Sequence, residues 1–231
     1  MTIGYENIFT ILLSVIGLVI VVWAQSRINR AFQRTKQIKI ASALTGQEVA
    51  RKVLDAAGLH DVHVVKVQGT LTDHYDPTRK VVRLSSDIFD GSTVAATAIA
   101  AHECGHAIQD KEGYLFMRIR SFLAPVVNFV TYAGYFVAIL SLLAGVTGYF
   151  TVAIYMILAS ILFQLVTLPV EFDASARAKK QVHSLSLVTS EEAENVEDML
   201  GAAAMTYVAS FLSSILNLIR LLIMRDNSRD D

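Results

Sequence analysis

The chain has a single cysteine, Cys104, so no internal disulfide can staple it. That fits a site facing a reducing compartment. With 20 basic and 21 acidic residues there is no basic surplus, and no nucleic-acid partner is expected. Charge of either sign is scarce, at 18% against 53% apolar residues. It is missing altogether from residues 7–26, 121–170 and 199–217. Apolar residues clumped in this way point to membrane spans rather than a large soluble core. The absence of ionisable groups from 121–170 also argues against a transporter, which would carry them inside its spans. There are no internal repeats and no low-complexity linker.

About 20 helical residues cross the hydrocarbon of a bilayer, and residues 7–26 supply such a segment. No basic residue precedes it, as a cleaved signal peptide would require. Instead Arg27, Arg30, Arg34, Lys36 and Lys39 follow, with Trp23 near the boundary. The segment is therefore expected to be a retained anchor, its N-terminus outside and the chain from residue 27 in the cytoplasm. The uncharged run 121–170 is too long for one crossing and suits a helical hairpin of 121–144 and 149–168, broken at Gly145-Val146-Thr147-Gly148. Arg118 and Arg120 stand before it and Arg177, Lys179 and Lys180 after it, which puts both ends on the cytoplasmic side. Residues 201–224 form a fourth crossing or a membrane-associated helix, weakened by Arg220. The tail 225–231 is polar and expected to be disordered.

Two polar blocks remain, 27–120 and 171–200. In the first, Thr45-Gly46-Gln47-Glu48 reads as a capping box opening a helix with the stripe Val49, Val53, Leu54 and Ala57, closed at Gly58. Short strands are expected at 62–67 and 79–84, in a hairpin or three-stranded sheet. Ser92 or Thr93 then caps a helix to about Asp110, whose half 94–101 is apolar or small all round and hence buried. In the second block, 171–182 reads as a helix, and Thr189 and Glu192 form another capping box.

The helix from 94 contains His102-Glu103-Cys104-Gly105-His106. Histidines four apart lie on one helical face and can share a metal ion. Neutral imidazole suits Zn²⁺, and a catalytic zinc takes three protein ligands plus water. Glu103 beside them could take the proton of that water and make it a nucleophile for a peptide carbonyl. Candidates for the third ligand are His60, His63, His74 and His183, and the carboxylates Glu171, Asp173, Glu191, Glu192 and Glu194. Two crossings return the chain to the side of His102, which favours a donor soon after the second; Glu171 stands there. Cys104 is expected to pack on the opposite face. His74 and Tyr75 could line the cleft or form a surface turn. Arg177 is expected to be an interfacial anchor, and residues 191–198 a solvated face.

Three separated motifs carry a resemblance. They are Thr72-Asp73-His74-Tyr75-Asp76-Pro77, then Ala101-His102-Glu103 with Gly105-His106-Ala107 and Gln109, then Pro169-Val170-Glu171-Phe172-Asp173-Ala174-Ser175 with Arg177-Ala178. Together they resemble the bacterial membrane zinc metallopeptidases of the YugP type over residues 5–220. More distantly the layout is similar to the HtpX and CAAX-processing membrane proteases. The resemblance implies a mainly α integral membrane protein of about four transmembrane helices, with a small α+β zincin-like catalytic domain. It implies zinc held by His102, His106 and Glu171, with Glu103 as catalytic base, in a multi-pass protein of the inner membrane that cleaves membrane or membrane-proximal polypeptides. Ser175 stands where the relatives have an Asp that orients a zinc histidine; Ser175 or Asp173 would take that task. The other class to weigh is a membrane scaffold subunit with a structural zinc, which would need a fourth protein ligand.

Overall fold

The computed structural model describes residues 5–143 and 149–230. It is mainly helical, with one small sheet, and the chain divides into two compact units. One comprises 26–118 and 169–205; the other comprises 1–25, 119–168 and 206–231.

The first unit is a packed domain. The end of α1 (Tyr5–Thr35) leads into α2 (Gly46–Ala56), where the expected capping box is formed: Thr45 Oγ1 accepts from the Glu48 amide and the Glu48 carboxylate accepts from the Thr45 amide. Val49, Val53 and Leu54 are fully buried. Strands β1 (His63–Val67), β2 (His74–Asp76) and β3 (Val81–Ser85) form a sheet in the order β1-β3-β2, with β1 parallel and β2 antiparallel to β3. Of the hairpin and the three-stranded sheet that were expected, the second is formed, and its third strand, β2, comes from the stretch between the two strands read from the sequence. Central β3 has a partner strand on each side, and all its residues but the half-buried Arg83 are buried. After the single turn α3 (Ser86–Phe89) comes α4 (Val94–Lys111), capped by Thr93 Oγ1 on the Ala96 amide. Its start is tied to the segment after α1 by Val94 N–H to Ile38 O and Ile40 N–H to Ser92 O. Residues 94–101 are buried all round, as their composition required.

Among the described residues three helices are long and apolar enough to cross a membrane: α1, α6 (Tyr149–Ser184) and α7 (Ser190–Asp230). Between α4 and α6 lies α5 (Leu115–Leu143). Gly134 of α5 lets Met156 of α6 approach to where a Cβ would collide, at 2.2 Å from its sulfur. The expected break at 145–148 falls outside the described residues.

Two expectations are corrected. No boundary separates the second crossing from the helix expected at 171–182: α6 runs unbroken through Pro169, so Glu171 sits in mid-helix rather than at a positive N-terminal end. Proline costs one backbone hydrogen bond, and a long packed helix tolerates that. Likewise 225–230 is helical as the end of α7, because extending an existing helix adds a hydrogen bond per residue without a new nucleus.

Candidate metal centre

The centre lies in the packed domain, where α4 meets the α6 segment after Pro169. Gly105 permits that meeting: a Cβ there would lie 2.6 Å from the Ala174 carbonyl oxygen. On the opposite side Cys104 is fully buried, its thiol 3.5 Å from Ala50 O in α2. It packs, as expected, and burial pushes the thiol far above its ordinary range, so it is no thiolate.

One face of α4 and one of α6 bring three donors together. His102 Nε2 is 3.2 Å and His106 Nε2 3.6 Å from Glu171 Oε2, and one donor atom from each side chain lies within 4.8 Å of the others. Two ligands at about 2.05 Å on a tetrahedral zinc stand about 3.3 Å apart, so the measured separations suit a shared ion. Glu171 is only 2% exposed. Burial opposes its charge, but hydrogen bonds and attraction from the two imidazoles outweigh that and hold its carboxyl below the usual range. His60, His63, His74 and His183 are not part of this cluster, nor are Asp173, Glu191, Glu192 and Glu194.

The outer nitrogens of the two histidines have different partners. His102 Nδ1 is 3.2 Å from Ser175 Oγ. His106 Nδ1 is 3.0 Å from Gln109 Oε1, while Gln109 Nε2 donates to Asp173 Oδ2 and Val170 O, both at 2.8 Å. Those two acceptors fix the amide's orientation, since only the NH₂ end can serve both. The oxygen facing His106 therefore needs a proton on Nδ1, which leaves the Nε2 lone pair for a metal. The work expected of one residue is thus divided between Ser175 and a Gln109–Asp173 pair. Sequence reasoning quoted Gln109 but gave it no role. The signal was its position three residues after His106, one turn along the same side.

Glu103 is buried beside the cluster. Burial raises its carboxyl to about 7, with His102 lowering it and Glu171 raising it further. Such a group can take and return a proton near neutrality. Other expectations fare differently. Tyr75 is buried, and its hydroxyl donates to Asp110 at 2.9 Å. His74 is exposed and bonded to Thr72 O. Arg177 is no free anchor: it pairs with Asp173 and, at 2.6 Å, with Glu112. Nor is 191–198 merely solvated. Asp198 pairs with Arg34, and Glu192 Oε1 accepts from the Ala41 amide.

Comparison with known proteins places the chain in a zinc peptidase family. The profile of a family described as "Putative neutral zinc metallopeptidase" matches residues 10–226. The chain is 41% identical, over 96% of its length and 98% of the other's, to the "Putative membrane protease YugP" of Bacillus subtilis (strain 168). No solved structure matches.

Proposed function

The chain belongs to the neutral zinc metallopeptidase family, and from that premise we propose that it is an integral membrane endopeptidase of the gluzincin type. His102, His106 and Glu171 hold the zinc. The observation that carries this is the convergence of two Nε2 atoms and one buried carboxylate across 69 residues of sequence. Bound there, zinc lowers the pKa of water and polarises a carbonyl. Glu103, buried beside the cluster, would take the proton of a water attacking the peptide carbon and return it to the departing amine. Gln109 and Ser175 hold the imidazoles in position, and burial of Glu103 keeps its proton affinity close to the working pH. Among the described residues the cluster offers three donors, which leaves a corner for water. Asp173 is occupied by Gln109 and Arg177, and His74 by Thr72, so neither serves as the fourth ligand of a closed structural site.

In this proposal α1, α5, α6 and α7 cross the inner membrane. The N-terminus lies outside, and the basic residues after α1 and around α5 and α6 hold the metal centre at the cytoplasmic face. The packed domain gives up the chain after Arg118 and takes it back at Pro169, as an even number of crossings requires. The substrates are membrane or membrane-proximal polypeptides.

The test uses wild type, Glu103→Gln and Glu171→Ala purified with zinc in detergent, assayed on an unfolded protein. Glu103→Gln keeps its zinc and loses on the order of 10²–10⁴-fold in rate. Glu171→Ala loses the metal. Equal cleavage by wild type and Glu103→Gln would overturn the mechanism.

A further inference from the structure

Arg220 is the one charged residue between Met199 and Met224. A cation in an apolar helix is costly unless it is paired. Yet among the described residues Arg220 meets no carboxylate. Its Nη1 donates to Ser14 Oγ of α1 at 3.2 Å, and its Nε is buried with no acceptor. It thus has one neutral partner, an uncompensated charge and an unused donor. The guanidinium also lines a recess of about 330 Å³ whose other polar residues are Ser14, Ser213, Ser214 and Asn217. Leu13 and Leu18 are among its apolar walls.

We propose that this recess binds the phosphodiester group of an anionic phospholipid. Arg220 stands five residues before Arg225, at which the uncharged sequence ends, or about 7–8 Å of helix rise. A basic side chain near the end of a span can hold a headgroup phosphate drawn toward it while its stem stays among apolar groups. The planar donor fork matches two phosphate oxygens, and hydroxyl and amide donors beside it complete the shell. The leucines suit the start of an acyl chain. An acidic side chain of a passing protein could neutralise Arg220 as well. However, lipid phosphate is the abundant anion at this end of the span and leaves no unsatisfied polypeptide backbone in hydrocarbon. The inference rests on α1 and α7 being membrane-embedded, but not on the metal centre.

The full chain is reconstituted in phosphatidylcholine nanodiscs containing a minor fraction of phosphatidylglycerol, then released into mild detergent for native mass spectrometry. Wild type is expected to retain one phosphatidylglycerol in preference to phosphatidylcholine. Arg220→Gln should retain roughly tenfold less, Arg220→Lys an intermediate amount, and Ser14→Ala with Asn217→Ala severalfold less. Zinc content should be unchanged in all of them, which also reports folding if Arg220→Gln inserts poorly. Equal retention by wild type and both the Arg220→Gln and double variants would overturn the proposal. So would loss of the lipid to inorganic phosphate, which would make the site one for a free anion, or an acidic polypeptide crosslinked at position 220 in place of lipid. Wild type that fails to co-float with vesicles would instead remove the membrane premise.

Discussion

The two units spend the same apolar residues in opposite ways. In the packed domain Val49, Val53 and Leu54 are wholly inside, and the ionisable groups Glu103, His106 and Glu171 are buried with them. In the other unit Phe129 and Tyr132 are 73% and 77% exposed. The most apolar windows of α6 and α7 are each only 11% buried. Large apolar groups left outside are at rest only if the surroundings are also apolar. The difference teaches that hydrophobicity identifies what a surface faces only once the charges have been located. Where charges are absent the apolar surface points outward; where they gather, it points inward and shields them.

The strongest way to break this comparison is to delete the same kind of group in both units. Leu54→Ala should destabilise the packed domain by about 2–5 kcal/mol, because it leaves a cavity. Phe129→Ala should change stability by under about 0.5 kcal/mol, as for an exposed site. Denaturant unfolding in lipid vesicles measures both. A Phe129→Ala cost as large as that of Leu54→Ala would make that face a protein contact rather than a lipid-facing one.

The second test uses the buried charges. In the metal-free chain Glu103 stands at about 7 against 4.5 when unperturbed. The folded state therefore holds a proton that the unfolded state loses between those values. Stability should be greatest below about pH 4.5 as far as this group is concerned, and fall as pH rises through 7, by roughly 3 kcal/mol in all. Glu103→Gln should abolish that part of the slope in unfolding curves taken across the window. An unchanged slope would show that its burial has no energetic consequence.

The smallest effect concerns the split support of the two histidines. Ser175→Asp replaces a hydroxyl beside His102 Nδ1 with a stronger acceptor. Zinc affinity should rise by up to about tenfold, read by competition with a chelator. Weaker binding would mean that the hydroxyl is needed as a donor.

Much of the centre was legible because it is written in local spacing. The i, i+4 histidines fix their own common face, and of the nine candidates for the third donor it is Glu171, the one favoured by its place after the uncharged stretch and by the resemblance, that joins them. The capping boxes at Thr45 and Thr189 were legible for the same reason. What stayed hidden depended on tertiary partners. Strand β2 is three residues long, too short for alternation to register, and exists because β3 offers it an edge. Pro169 reads as a boundary, yet packing carries α6 through it. Gln109 looks like an ordinary polar residue near a helix end until Asp173 and Val170, 60 residues on, take its amide hydrogens. Gly105 similarly declares nothing until Ala174 lies against it.

One feature of the chain's path also governs timing. Two of the three side chains of the candidate metal centre, His102 and His106, leave the ribosome early, and Glu171 follows only after a fifty-residue uncharged stretch has been made. On the proposed assignment, a nascent polypeptide cut short anywhere before residue 171 would carry Glu103 but an incomplete grip on zinc. Under the proposed function, hydrolytic competence would be withheld until synthesis has passed Glu171, and a chain stopped short of it would have no complete site.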